Sequence, residues 1–201
     1  MAITMKEIQQ ARVTFGIVGM SPLIQHAWSE KALKTMRMTA QERKKVQKVA
    51  RDPETEAANA CHKTDSGEFG IPLTAFKAAL IGAAHKDFGL EKTLLRKSFF
   101  IPCTDSGGIV PIETNGDYVI REDMVRIGQN QTDIRYRPMF TEWKVKIEAV
   151  IDSELLKPED VVNLVNRAGF SVGIGEWRPE KGGEFGRFKI DTSVPMETVA
   201  I

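Results

Sequence analysis

The chain is poor in the groups that most often carry chemistry. Cysteine occurs twice, at Cys61 and Cys103, and there is no Cys-x-x-Cys pair. That excludes a disulfide framework and a zinc ribbon, and it fits a reducing compartment. Histidine occurs three times, at His26, His62 and His85, and Cys61-His62 with Cys103 does not have zinc spacing. Carboxylates are scattered without the pairing that two-metal nuclease chemistry needs. Neither a Gly-Lys-Ser/Thr phosphate loop nor a Gly-x-Gly-x-x-Gly dinucleotide turn opening a helix is present. No metal and no cofactor is therefore expected. No apolar run reaches the ~18 residues of a membrane helix, and the first residues lack the apolar stretch of a signal peptide. A cytoplasmic protein without a membrane partner is the expectation. An excess of one charge is also missing, since 28 Lys+Arg face 27 Asp+Glu. The chain as a whole is not a polyanion glue, so any nucleic-acid contact must be local.

What is present reads as one domain over residues 1–201. Residues 11–18 alternate and are rich in β-branched and aromatic side chains, which predicts a first strand. Residues 27–69 read as a basic insertion. Over residues 31–51 of it, Lys31, Lys34, Arg37, Arg43, Lys44, Lys45, Lys48 and Arg51 are opposed only by Glu42, and residues 27–50, free of Gly and Pro, are expected to be partly helical. Phe76, Ala79, Leu80 and Ala83 share one face of a helix, with Thr74 as its N-cap. Residues 97–102 predict a strand. Residues 103–140 read as a β-rich hairpin insertion turning at 128–132. Residues 141–152 alternate apolar and charged, the pattern of a half-exposed strand. Pro158, Glu159 and Asp160 suit the first turn of a second helix, which carries Val161, Val162, Leu164 and Val165 and ends at Ala168-Gly169. A Gly-rich segment then leads into a strand over 185–190 and a loose tail over 191–201. The order β, α, β, β, α, β predicts an α+β fold of modified ferredoxin-like (RRM-like) plan with inserts.

Three segments carry a family resemblance. They are Gly19-Met-Ser-Pro-Leu23, the run Ile71-Pro72 to Lys77, Ala79 and Leu80, and the Gly-rich stretch from Gly173 to Phe188. In order and spacing the chain resembles the RAMP superfamily of CRISPR-associated proteins, in particular the backbone subunits that polymerise along guide RNA. The resemblance implies a ferredoxin-like fold, single-stranded RNA or DNA as partner, head-to-tail contacts with further copies and contacts with other effector subunits. A phage or mobile-element protein that coats single strands fits equally. Two departures matter. Leu73-Thr74-Ala75 replaces the family's Gly-Ser-Ser, and no aspartate between Gly19 and Glu30 matches the one that RNA-cleaving backbone subunits use. A binding role without catalysis is therefore expected.

The residues that would bind follow from their types. Glycines at Gly173, Gly175, Gly182, Gly183 and Gly186 let backbone approach a ligand, beside Arg178, Lys181 and Arg187. The alternative is a Gly-rich corner that only turns the chain. Lys44, Lys45 and Lys48 represent the basic run, whose alternative is a solvated helix face. Arg126, Arg135, Tyr136 and Arg137 flank the hairpin turn, where arginine suits phosphate and the ring suits a base. Their alternative is pairing with Glu122, Asp123 and Asp133. Trp177 is a second stacking candidate or a lid over the core, while Trp143 and Phe188 read as core. His26, just past the first strand, is the residue a metal-independent endoribonuclease of this superfamily would use as general base. An oligomeric assembly protein without nucleic acid is the third reading that the balanced charge leaves open.

Overall fold

The computed structural model describes residues 7–39, 41–42, 50–103, 105–128 and 131–201; Lys44, Lys45 and Lys48 lie outside them. The protein is α+β with antiparallel sheets. Strand β1 (Gln10–Gly19) runs into the two-residue strand β2 (Leu23–Ile24). Two short helices follow, α1 (Glu30–Arg37) and α2 (Pro53–Asn59). Next come β3 (Gly70–Pro72), the long helix α3 (Leu73–Phe88) and the short helix α4 (Lys92–Ser98). Strands β4 (Phe99–Phe100), β5 (Ile109–Pro111) and β6 (Glu113–Thr114) are brief. Three long strands follow: β7 (Val119–Ile127), β8 (Gln131–Phe140) and β9 (Trp143–Asp152). Helix α5 (Pro158–Ser171), β10 (Phe188–Ile190) and β11 (Glu197–Ala200) complete the chain.

In the main sheet the order is β10-β1-β9-β4, with β11 also on β1 and β6 also on β9. β1 and β9 pair from Gln10↔Asp152 to Val18↔Lys144. Their alternation puts Val13, Phe15, Ile17, Val145, Ile147, Ala149 and Ile151 on a buried face. Helices α3 and α5 cover that face, packing Phe76, Leu80, Val161 and Val165 into the same core. Each aliphatic or aromatic side chain buried there contributes about 1.5–3 kcal/mol. A second, three-stranded sheet, β2-β8-β7, carries the long hairpin ribbon, and β3 pairs with β5. Among the described residues no helix is long and apolar enough to cross a membrane.

Several elements differ from the sequence expectation. Residues 97–102 do not form one strand: Leu95 and Ser98 are buried at helical spacing, Ser98 Oγ donates to Leu94 O at 2.7 Å, and the strand is reduced to Phe99–Phe100. Thr74 is not the N-cap of α3. The helix starts two residues earlier, at Leu73 behind Pro72, and Leu73 N donates to Gly108 O at 2.9 Å. Residues 191–201 are not loose throughout, because Glu197–Ala200 adds to β1 and Val194 closes over Gly16. Polar composition alone hid that strand, whose partner lies at the other end of the chain.

Candidate nucleic-acid interface

The Gly-Met-Ser-Pro-Leu segment and the Gly-rich segment are two halves of one joint. Trp143 lies over Gly19, where a Cβ would come 2.2 Å from its Nε1, and that Nε1 donates to Ser21 O at 3.0 Å. Residues 173–187 then lace onto the turn. Gly186 N donates to Pro22 O at 2.8 Å, Glu176 N to Ile24 O at 2.9 Å and Arg187 N to Ser21 Oγ at 3.0 Å. The loop also closes on itself: Ile174 N donates to Gly186 O at 3.0 Å, and Phe185 N to Trp177 O at 3.0 Å. Gly173, Gly175, Gly182 and Gly186 have positive φ, and so does Trp177 at 52°. Gly183 is needed for another reason, because a Cβ there would fall 1.8 Å from Trp177 O. Most of the loop's amide donors are thus spent on backbone carbonyls and not left free to cradle a phosphate. Gly173, Gly175, Gly183 and Gly186 serve close approach of chain to chain, while Gly182 serves only its positive φ.

That joint also fixes the ribbon. Asp123 is 5% exposed and accepts from Arg121 Nε at 2.8 Å and from Arg137 Nη1 at 3.0 Å. The Trp177 indole donates to the same carboxylate. Burial alone would push the Asp123 carboxyl up, but the hydrogen bonds from Arg121, Arg137 and Trp177 outweigh it and hold it below its ordinary value. Arg137 Nη2 reaches Glu176 at 3.5 Å, and Arg121 stacks on Phe185 at 4.7 Å. Arg137 is therefore a buried structural cation rather than a phosphate contact, and its Nε has no partner among the described residues.

The other expected residues separate into groups. Arg178 is held by Glu180 at 3.0 Å and donates to Gly175 O at 3.1 Å. Arg187 lies 3.8 Å from Glu184 and 5.3 Å over the Phe170 ring. Lys181 is exposed at the end of a single 3-10 turn. Arg126 is exposed near the ribbon tip. Arg135 pairs with Asp133 at 3.0 Å.

Arg135 and Tyr136 border a cleft of about 600 Å³ whose far side is His26, Trp28, Ala32 and Arg51. Trp28 is 67% exposed, and Arg51 crosses to Asp133 at 2.6 Å. Sequence reasoning missed Trp28 and named Arg51 only as part of the basic run. Their only signals are a tryptophan two residues after His26 and a cation at the end of the basic run. Ser29 caps α1 by accepting from Ala32 N at 3.2 Å, and Lys34 and Arg37 are exposed on that helix.

His26 stands between the cleft and a smaller cavity of about 170 Å³ that it shares with Gln25, His62, Glu176 and Arg178. Its pKa is lowered by burial and by Arg137 and Arg135, against the opposing pull of Glu176, whose carboxylate lies 3.9 Å away. His62 is lowered by burial and by His26. Gln25, 2% exposed, bridges Gly70 O and His62 N at 2.8 Å each, so it is a structural clamp. Residues 169–173 spell Gly-x-Ser-x-Gly, yet they close α5 instead of forming a strand-to-helix elbow. Ser171 Oγ donates to Asp87 at 2.5 Å. Among the described residues no group of His, Cys, Asp and Glu is arranged to hold a metal.

No family model and no curated protein matches the chain. Among solved structures it is similar to the crystal structure of Cmr6 from Pyrococcus furiosus, with 11% identity and a TM-score of 0.45, over 92% of this chain and 100% of that one.

Proposed function

We propose that the chain is a ferredoxin-like (RRM-like) protein of RAMP type that binds single-stranded RNA or DNA without cleaving it. The strand order β10-β1-β9-β4, with α3 and α5 on one face, supports the ferredoxin-like plan. The observation that carries the binding role is the cleft between α1 and the ribbon. It brings Trp28, Tyr136 and His26 together with Arg51 and Arg135. Every base has a π-face, so exposed rings bind single strands without demanding a sequence, at about 1–3 kcal/mol per stacked base. Asp133 offsets both arginines, so phosphate attraction rests on other cations. The candidates are the exposed Lys34 and Arg37 on α1, the exposed Arg126 on the ribbon and, from the sequence alone, the run from Arg43 to Lys48. Lys181, exposed on the Gly-rich segment, and Arg187 are further phosphate candidates. Association of copies and of other effector subunits along the strand belongs to the same proposal.

The test is fluorescence polarisation with labelled oligo-uridine and oligo-thymidine across a salt series. Trp28→Ala and Tyr136→Ala are expected to weaken binding roughly tenfold each, Tyr136→Phe far less, and affinity to fall steeply with salt. Binding that ignores both alanine variants, or stays flat with salt, would sink the reading. A second reading has its own observation: the lowered pKa of His26 keeps a neutral imidazole beside the cleft, as a general base requires. Recovery of shortened oligonucleotide in EDTA by the wild-type chain, abolished in His26→Ala, would establish it.

A further inference from the structure

The ribbon ends in an edge with which no other described strand pairs. β7 is the outer strand of its sheet, and its ladder to β8 runs without a bulge from Val119↔Met139 to Ile127↔Gln131. Apart from that ladder, β7 makes no backbone hydrogen bond to any other described residue. A long, regular edge of this kind is a template for another strand, and proteins usually blunt it with proline, bulges or lysine. β7 contains none of these, and its two inward-pointing charges, Arg121 and Asp123, are neutralised by each other and by Arg137. Its outward face is also apolar at the centre: Met124 is 76% exposed and stands opposite Ile134, itself 38% exposed. On the same face, Glu122 lies two residues before Met124 and Arg126 two residues after, both exposed.

We infer that two copies of this chain pair through β7, antiparallel about a two-fold axis at Met124. Charge complementarity selects both the occupant and the register. With Met124 opposite Met124, Glu122 faces the partner's Arg126, and Arg126 faces the partner's Glu122. Other symmetric registers place glutamate on glutamate, arginine on arginine, or a charge on methionine. Opposite charges directly across a ladder stabilise it and like charges oppose it. The result is one continuous sheet, β2-β8-β7 followed by the same strands of the partner in reverse. Such a contact uses the same patch on both copies and closes on itself. Copies joined this way make dimers, and a filament requires a different, head-to-tail surface.

Sedimentation velocity on nuclease-treated protein tests the pairing independently of nucleic-acid binding. The wild-type chain is expected to dimerise. Glu122→Arg alone and Arg126→Glu alone each create two like-charge pairs and should weaken the dimer roughly tenfold or more. The double variant Glu122→Arg with Arg126→Glu should restore it, which mere loss of folding cannot do. In a Cys103→Ser background, Met124→Cys should form a covalent dimer on oxidation, because directly opposed strand residues lie within disulfide reach. A monomeric wild-type protein, a double variant as weak as the single ones, or dimers indifferent to all three changes would each overturn the inference.

Discussion

Replacing Gly186 by alanine isolates what the Gly-rich joint contributes. Gly186 has φ +66°, and a Cβ there would lie 1.7 Å from Ile174 O. A left-handed backbone costs an L-residue ~1–2 kcal/mol. The contact cannot be relieved by a side-chain rotation, because the atom struck is backbone. The loop must open, and two bonds go with it: Ile174 N to Gly186 O at 3.0 Å and Gly186 N to Pro22 O at 2.8 Å. Each such bond nets about 1 kcal/mol, more if a donor stays buried without a partner. The expected loss is therefore roughly 3–5 kcal/mol. With a urea slope near ~2 kcal/mol/M, the midpoint should drop by about 2 M. Gly182→Ala is the control. It has φ +80° but no atom within 4 Å of its Cβ, so only the ~1–2 kcal/mol of backbone strain applies. Urea melts followed by tryptophan fluorescence would compare the two. Coincident transitions for both variants would refute the claim that chain-to-chain approach is the reason for glycine here.

Three further outcomes follow from the ribbon joint and the buried groups. Asp123→Asn leaves the buried Arg137 with only Glu176, at 3.5 Å, as counter-charge and should destabilise the fold by about 2 kcal/mol or more, whereas Arg135→Ala, at a half-exposed pair, should cost under ~1 kcal/mol in the same melts. His26 and His62 are both lowered from 6.5, so the unfolded chain binds protons more readily than the folded one. Stability should then be full above about pH 6.5 and decline as pH falls below it, and His26→Gln should flatten that decline in melts run at successive pH values. Burial pushes the Cys61 thiol up to about 11, while Cys103 is exposed. A chromogenic disulfide reagent should therefore titrate one thiol in the native protein and both after denaturation; two fast thiols in the native state would contradict the burial of Cys61.

The parts of the fold legible in the sequence are those fixed by local pattern. The alternation over 141–152 gives β9, and Pro158 with Glu159 and Asp160 gives the start of α5, where Lys157 N donates to Asp160 at 3.0 Å. Trp143 and Phe188, read as core, are each 2% exposed. What local pattern cannot give is identity across distance. Whether a glycine faces a ligand or another stretch of backbone depends on residues 20–24, far from 173–187 in the chain. The same holds for the ribbon arginines. Arg135, Arg137 and Arg126 look alike in sequence, and only the arrival of Glu176 and Trp177 makes Arg137 structural. The cleft was equally hidden, since Trp28, Arg51 and Tyr136 come from three separate segments.

The placement of β1 has a consequence for how the protein is made. Its neighbours are β9, β10 and β11, all from the last third of the chain. Synthesis runs in the opposite sense. At ~5–20 residues per second, roughly six to twenty-five seconds pass between the emergence of Gly19 and that of Trp143. Through that interval Val13, Phe15 and Ile17 have no strand to pair with and no helix layer complete above them. A nascent chain of this design is a natural client for a ribosome-bound chaperone. Its yield in a cell should depend on that protection more than the stability of the finished fold would suggest.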